Sequence, residues 1–183
     1  MEIYKIVKDT NPNLRKRCEL VELPLSEEIV KTLHEMVEYL KCSQDEEFVK
    51  NHPSVKPGIG LAAPQIGINK QMLAIYYQDE EGKGHEFALV NPRIISESVK
   101  QAYLENGEGC LSVEKEHPGY VYRPYKVTVR AFDVLQNKKI EHTFVGFPSM
   151  VVQHEIDHLK GILFYDHIDK ENPFKQINGS IAL

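Results

Sequence analysis

At 183 residues the chain is long enough for one domain with a sizeable core, and no composition shift or Pro/Ser-rich linker asks for a second, so residues 1–183 are expected to form a single domain. A net charge of −5 and a pI near 5.9, without a run of Lys or Arg, exclude a strong polyanion-binding surface as the main activity, although a basic patch assembled only by folding would escape that test. No stretch reaches the roughly 18 apolar residues of a membrane span, the opening residues 1–8 hold no apolar h-region, and three cysteines cannot pair completely. Together these features predict an unexported protein of the reducing cytoplasm with no membrane partner.

Residues 1–25 are short apolar alternations broken by Asn11-Pro12-Asn13 and Pro24, with no recognisable chemistry. Ser26 is placed to cap a helix: Glu27 and Glu28 suit its positive end, and Ile29, Leu33, Met36, Val37 and Leu40 recur at helical spacing. His34 has no ligand partner at metal spacing and Cys42 lies near the helix end, so both are expected to be structural. From Ser43 to Pro57 the chain is polar and reads as a surface excursion. The next segment, Gly58-Ile59-Gly60-Leu61-Ala62-Ala63-Pro64-Gln65-Ile66-Gly67, has little side-chain bulk around one polar group, Gln65. It is not a dinucleotide fingerprint, because Ala63 stands where a third glycine belongs. On its own it fits a tight turn as well as a substrate cradle.

Extended runs follow at 72–77, 87–90 and 93–99, then at 125–132 and 139–144. Gly82-Lys83-Gly84 and Gln136-Asn137 mark two antiparallel hairpins. Apolar and polar residues alternate through 125–131, as in a strand with one solvated face. Between the runs lies Glu108-Gly109-Cys110-Leu111-Ser112, a thiol flanked by glycine.

Near the C-terminal end, a helix from Ser149 to Lys160 is expected, with Pro148 in its first turn and Gly161 just past its end. His154 and His158 fall one turn apart on the same face, and Glu155 points about 100° round. This is the H-E-x-x-H arrangement, two metal ligands with a carboxylate beside the open position. Val151, His154, Glu155 and His158 form one stripe bordering the core, while Gln153, Asp157 and Lys160 fall on the opposite side. A third ligand is needed, and the extended protease pattern would place a histidine at 164, where Phe164 stands. Asp166, His167, Asp169 and Glu171 downstream, and Cys110, His117 and His142 upstream, remain candidates. A thiolate is the strongest donor of that set for a borderline-soft metal, but spacing alone does not select it.

The three ordered motifs, Gly58 to Gln65, Glu108 to Ser112 and Gln153 to His158, resemble those of the peptide deformylases. The longer polar approach to Pro57 is similar to the class common in Gram-positive bacteria. The resemblance implies an α+β fold with antiparallel strands packed around a central metal-bearing helix. It implies that Cys110, His154 and His158 hold the metal, with Fe(II) native and Zn(II), Ni(II) or Co(II) as substitutes, and that Glu155 is the general acid/base. Gln65 and the Leu111 backbone N–H would face the oxyanion, and Gly60 and Gly109 would lie beside the substrate. The substrate would be the N-formyl-methionyl end of a nascent peptide, met near the ribosome without nucleic-acid specificity. Ile59, Met150 and Val151 are candidates for the methionine pocket. Glu108 is a candidate to hydrogen-bond a ligand histidine, with Arg123 as its ionic partner. Two rivals remain: a metallopeptidase using a downstream carboxylate such as Glu171, and a non-catalytic protein with a closed structural metal.

Overall fold

A computed structural model describes residues 3–183; the first two residues of the opening segment lie outside them. Helix α1 spans Glu27–Ser43, and the Ser26 hydroxyl accepts from the Ile29 N–H at 3.3 Å, as the sequence predicts. Leu33, Met36, Val37 and Leu40 are buried, whereas His34 faces solvent. The polar stretch that follows is not wholly irregular, because a short helix, α2, covers Glu46–Asn51. Its cause is local: the Asp45 carboxylate accepts from the Phe48 N–H at 2.7 Å, and Glu46 and Glu47 lie at the positive end of the helix.

Five strands form the main sheet: β1 (Gly60–Ala62), β2 (Met72–Gln78), β3 (Gly84–Glu97), β6 (Lys126–Asp133) and β7 (Lys138–Val145). They run antiparallel in the order β1-β2-β3-β6-β7, and both expected hairpins are present. The runs at 87–90 and 93–99 are one strand rather than two. Asn91, with φ of 51°, shifts the register between Val90 and Arg93 without ending the strand. The Asn91 side chain binds the backbone of Val21 in both directions, accepting at 2.9 Å and donating at 2.8 Å, which anchors the N-terminal segment at the bulge.

Along β2, Leu73 and Ile75 point to one face and Met72 and Ala74 to the other, and all four are fully buried. The first face packs on helix α3 (Phe147–Leu159) through Val152, Ile156 and Leu159, and the second packs on α1. A second sheet is assembled from β4 (Gln101–Tyr103), β5 (Arg123–Pro124) and β8 (Ile181–Ala182), in the order β5-β4-β8. These strands have only two or three residues, too few to show a period. The C-terminal tail, silent in the sequence, supplies β8, which pairs in parallel with β4. The Pro124 carbonyl of β5 accepts from Ser149 Oγ at 3.0 Å and Gln153 Nε2 at 2.9 Å, so α3 is held between the two sheets.

Helix α3 begins two residues before the expected Ser149 and carries Pro148 in its first turn; Gly161, just beyond it, has φ of +75°. The side opposite the histidines is not a solvated face. Gln153 is buried, Asp157 is half-buried in an ion pair, and only Lys160 is exposed. Among the described residues no helix is long and apolar enough to cross a membrane.

Candidate active site

One turn of α3 brings the rings of His154 and His158 to a centroid separation of 5.0 Å. The loop between β4 and β5 delivers Cys110 to them. Donor atoms of Cys110, His154 and His158 all lie within 4.8 Å of one another, and Cys110 Sγ is 3.3 Å from His158 Nε2. None of the other candidate ligands joins this group. Asp166 pairs with Arg15, His167 with Asp157 and Asp169 with Lys175, while His117 stacks on Tyr165 and His142 packs on Phe87 and Phe144. Glu171 is exposed.

Charged side chains hold the cluster from behind. Glu108 Oε2 is 2.8 Å from His154 Nδ1, which leaves the other ring nitrogen for the site. Arg123 donates to Glu108 through Nε at 2.6 Å and Nη2 at 3.1 Å, and to Asp157 through Nη1 at 2.7 Å. Asp157 also lies 2.8 Å from His167 Nε2. Burial alone would push the Glu108 carboxyl up, but the hydrogen bonds from His154 and Arg123 outweigh it and hold the group at about 2. Burial also opposes a charged His154, yet its bonds to Cys110 and Glu108 raise it well above the ordinary histidine value. Burial and the neighbouring His154 push His158 well below that value.

Glu155, like the Nδ1 atom of His158, stands outside this pairing. Its Oε2 is buried without a hydrogen-bond partner, and burial raises the carboxyl to about 7. Opposite it, a Cβ built on Gly60 would lie 2.6 Å from Glu155 Cδ and overlap the carboxylate, so glycine at this point of β1 is what leaves the acid its room. Gln65 occupies a 3-10 turn, Ala63–Ile66, directly after β1. Its Oε1 accepts from the Ala62 N–H at 2.8 Å, which turns the NH₂ group toward Ser112 Oγ at 3.1 Å and Cys110 Sγ at 3.6 Å.

A cleft of ≈ 350 Å³ opens onto these groups. Ile59, Gly60, Gln65, Gly109, Cys110, Leu111, Met150, Val151, His154 and Glu155, all singled out in the sequence, line it. One thiol, two imidazoles and an unpartnered buried carboxyl facing a cleft form a donor set that fits a borderline-soft divalent ion with an open position.

The Polypeptide deformylase family model matches residues 3–174. The chain belongs to that family. It is 48% identical to peptide deformylase 2 of Bacillus subtilis over 178 residues, covering 97% of this chain and 96% of that one. It is 49% identical to a Listeria monocytogenes peptide deformylase over 168 residues, covering 92% and 91%. Among solved structures, a probable peptide deformylase from Synechococcus phage S-SSM7 superposes with a TM-score of 0.73 at 34% identity, over 91% of this chain and 100% of that one. A Met-Ala-Ser-bound Acinetobacter baumannii peptide deformylase superposes with a TM-score of 0.71 at 28% identity, over 91% and 99%. The Gram-positive likeness read from the motifs agrees with these relatives. As a deformylase, the protein is a metal-dependent hydrolase that removes the N-formyl group from the methionine of newly made polypeptides.

The deformylase cleft also contains residues that sequence reasoning missed. Phe147 and Leu104 add apolar wall, and Lys56 reaches the rim. Phe147 lies one helical turn before Met150 and Val151, so extending the helix by a turn would have found it. Leu104 follows a three-residue strand and gives no periodic signal. The N-terminal segment, read as without chemistry, clamps both site loops: Val7 N–H donates to the Gln65 carbonyl at 2.8 Å and Asp9 N–H to the Ser112 carbonyl at 2.9 Å. These are backbone bonds, which leave no trace in residue type.

Proposed function

We propose that Cys110, His154 and His158 hold the metal, that Glu155 is the general acid/base, and that Gln65 Nε2 and the Leu111 N–H bind the developing oxyanion. When bound, the metal supplies a Lewis acid and lowers the pKa of water toward neutrality. Glu155 takes a proton from the attacking water and passes it to the amine nitrogen as the formyl C–N bond breaks, giving formate and a free methionyl amine. An oxyanion donor of this kind contributes on the order of 3 kcal/mol. Gln65 is suited to the task because its carboxamide is already oriented by Ala62 and Ser112.

Ile59, Met150 and Val151 form the apolar wall for the methionine side chain, with Gly60 and Gly109 letting the peptide backbone approach. That the A. baumannii relative binds Met-Ala-Ser supports a peptide beginning with methionine as the ligand. We assign Fe(II) as the native ion, with Zn(II), Ni(II) and Co(II) as substitutes, on the resemblance to the peptide deformylases; the thiolate and imidazole donors are compatible with each of these ions. Residues 1–183 act as one catalytic domain in the cytoplasm, in transient proximity to the ribosome.

The observation that carries these roles is the grouping of three donors within 4.8 Å of one another, with Cys110, His154 and the unpartnered, buried Glu155 lining one cleft. A metallopeptidase built on Glu171 is disfavoured by that residue's exposure. A closed structural site needs a fourth protein ligand, and the group found among the described residues has three members. The test is anaerobic purification, metal analysis and formate release from a formyl-Met peptide. The wild type should release formate, and Glu155→Ala should retain metal while losing roughly 10²- to 10⁴-fold in rate. No formate from iron- or nickel-loaded wild type would overturn the assignment.

A further inference from the structure

Helix α3 has two working faces. Val151, His154 and Glu155 turn to the active cleft, whereas Ile156, Leu159 and Lys160, roughly half a turn round, line a separate cavity of ≈ 520 Å³. That cavity also takes in Arg17, Gln71 and Arg93, and no carboxylate lines it. The charge pattern is selective. Of the five arginines in the chain, Arg15, Arg123 and Arg130 are in ion pairs with Asp or Glu, and the two left over, Arg17 and Arg93, both border this cavity. Among the described residues, neither of them nor Lys160 has a side-chain ion pair or hydrogen bond, and all three are exposed. Residues 17, 93 and 160 are far apart in sequence, so the patch is invisible to a search for basic runs in a chain of net charge −5.

We propose that this face docks the phosphate backbone of structured RNA. Unpaired arginines offer planar forks of N–H donors that match phosphate oxygens two at a time, and Lys160 adds a point charge beside them. Exposed cations around an open cavity suit a solvated, repeating polyanion better than an enclosed small anion. RNA, rather than an acidic protein, is favoured because the substrates are newly made polypeptides, which emerge beside an RNA surface. The proposal rests on that substrate reading. Docking through the far face of α3 leaves the mouth of the active cleft, at Met150 and Phe147, free to receive a peptide.

The experiment measures fluorescence anisotropy of a labelled RNA hairpin with the metal-loaded full-length protein, in 50 and 200 mM KCl. Three phosphate contacts predict that affinity falls about 40-fold between these salts. The Arg17→Gln/Arg93→Gln/Lys160→Gln variant should bind at least tenfold more weakly at the lower salt, and each single substitution should reduce the salt slope by about one. Formate release from formyl-Met-Ala-Ser, measured on the same preparations, should be unchanged, because none of the three lines the active cleft. Equal RNA affinity in the variant and the wild type would overturn the proposal. So would absence of RNA binding by the wild type, or binding of polyglutamate as tight as that of the hairpin. Loss of formate release in the wild type would instead strike the substrate reading, independently of the RNA result.

Discussion

Gly60 and Glu155 are fitted to one another: the space a side chain would fill at position 60 is occupied by the carboxylate of Glu155. Gly60→Ala must therefore either displace β1 or push Glu155 off its position. A misplacement of about 1 Å at a reacting group costs roughly 10²-fold in rate, and overpacking costs about 1–3 kcal/mol. The expected outcome is a fall in kcat/KM of that order with metal content unchanged, since none of the three donors is touched. Unaltered kcat/KM would mean that the carboxylate can move without consequence.

Arg123 is the sole cation bonded to both Glu108 and Asp157 among the described residues, and all three are largely buried. Removing it as Arg123→Ala leaves the buried Glu108 carboxylate with His154 as its one remaining partner among the described residues. Breaking a buried pair in this way costs about 3–5 kcal/mol. Chemical denaturation should register that loss, and metal affinity should fall about 10- to 100-fold because the orientation of His154 depends on Glu108. Arg123→Lys should recover little, because an ammonium cannot reproduce the fork that reaches both carboxylates.

Cys110 distinguishes the His₂Cys centre from a histidine-only one. Cys110→Ala should strip most of the metal from the purified protein and abolish formate release, while thermal melting of the metal-free form changes little. The small change follows from position: Cys110 lies in a loop and is only partly buried, so its removal opens no core cavity. Metal analysis retaining one equivalent in the variant would return the downstream carboxylates to consideration.

The histidine helix was legible because His154, Glu155, His158 and both end signals are local in sequence, all within 148–161. Helix α1 and the hairpins β2–β3 and β6–β7 were legible for the same reason: α1 shows its own period, and each hairpin is two extended runs joined by a short turn signal. Cys110 was readable only as one of seven candidates until the motif resemblance selected it, since its loop closes on α3 across 48 residues. The clamp of Val7 and Asp9 on the site loops could not be read at all, because backbone N–H groups belong to every residue. Strands β4, β5 and β8 owe their existence to pairing partners distant in sequence rather than to propensity.

Glu155 gives the last prediction a sign. In the metal-free protein burial raises its carboxyl from the ordinary 4.5 to about 7, so folding favours the protonated form. The stability tied to this group is complete below the unfolded value and is lost as pH rises through about 7. A shift of this size corresponds to about 3 kcal/mol. Glu155→Gln, which cannot ionise, should therefore be more stable than wild type by up to about 3 kcal/mol at pH 8, with the difference closing toward pH 4.5. Urea denaturation of both proteins, stripped of metal, across that range measures the difference directly, and the other titrating groups largely cancel between them. A difference that does not vary with pH would show that the Glu155 carboxyl ionises as freely in the folded protein as in the unfolded chain.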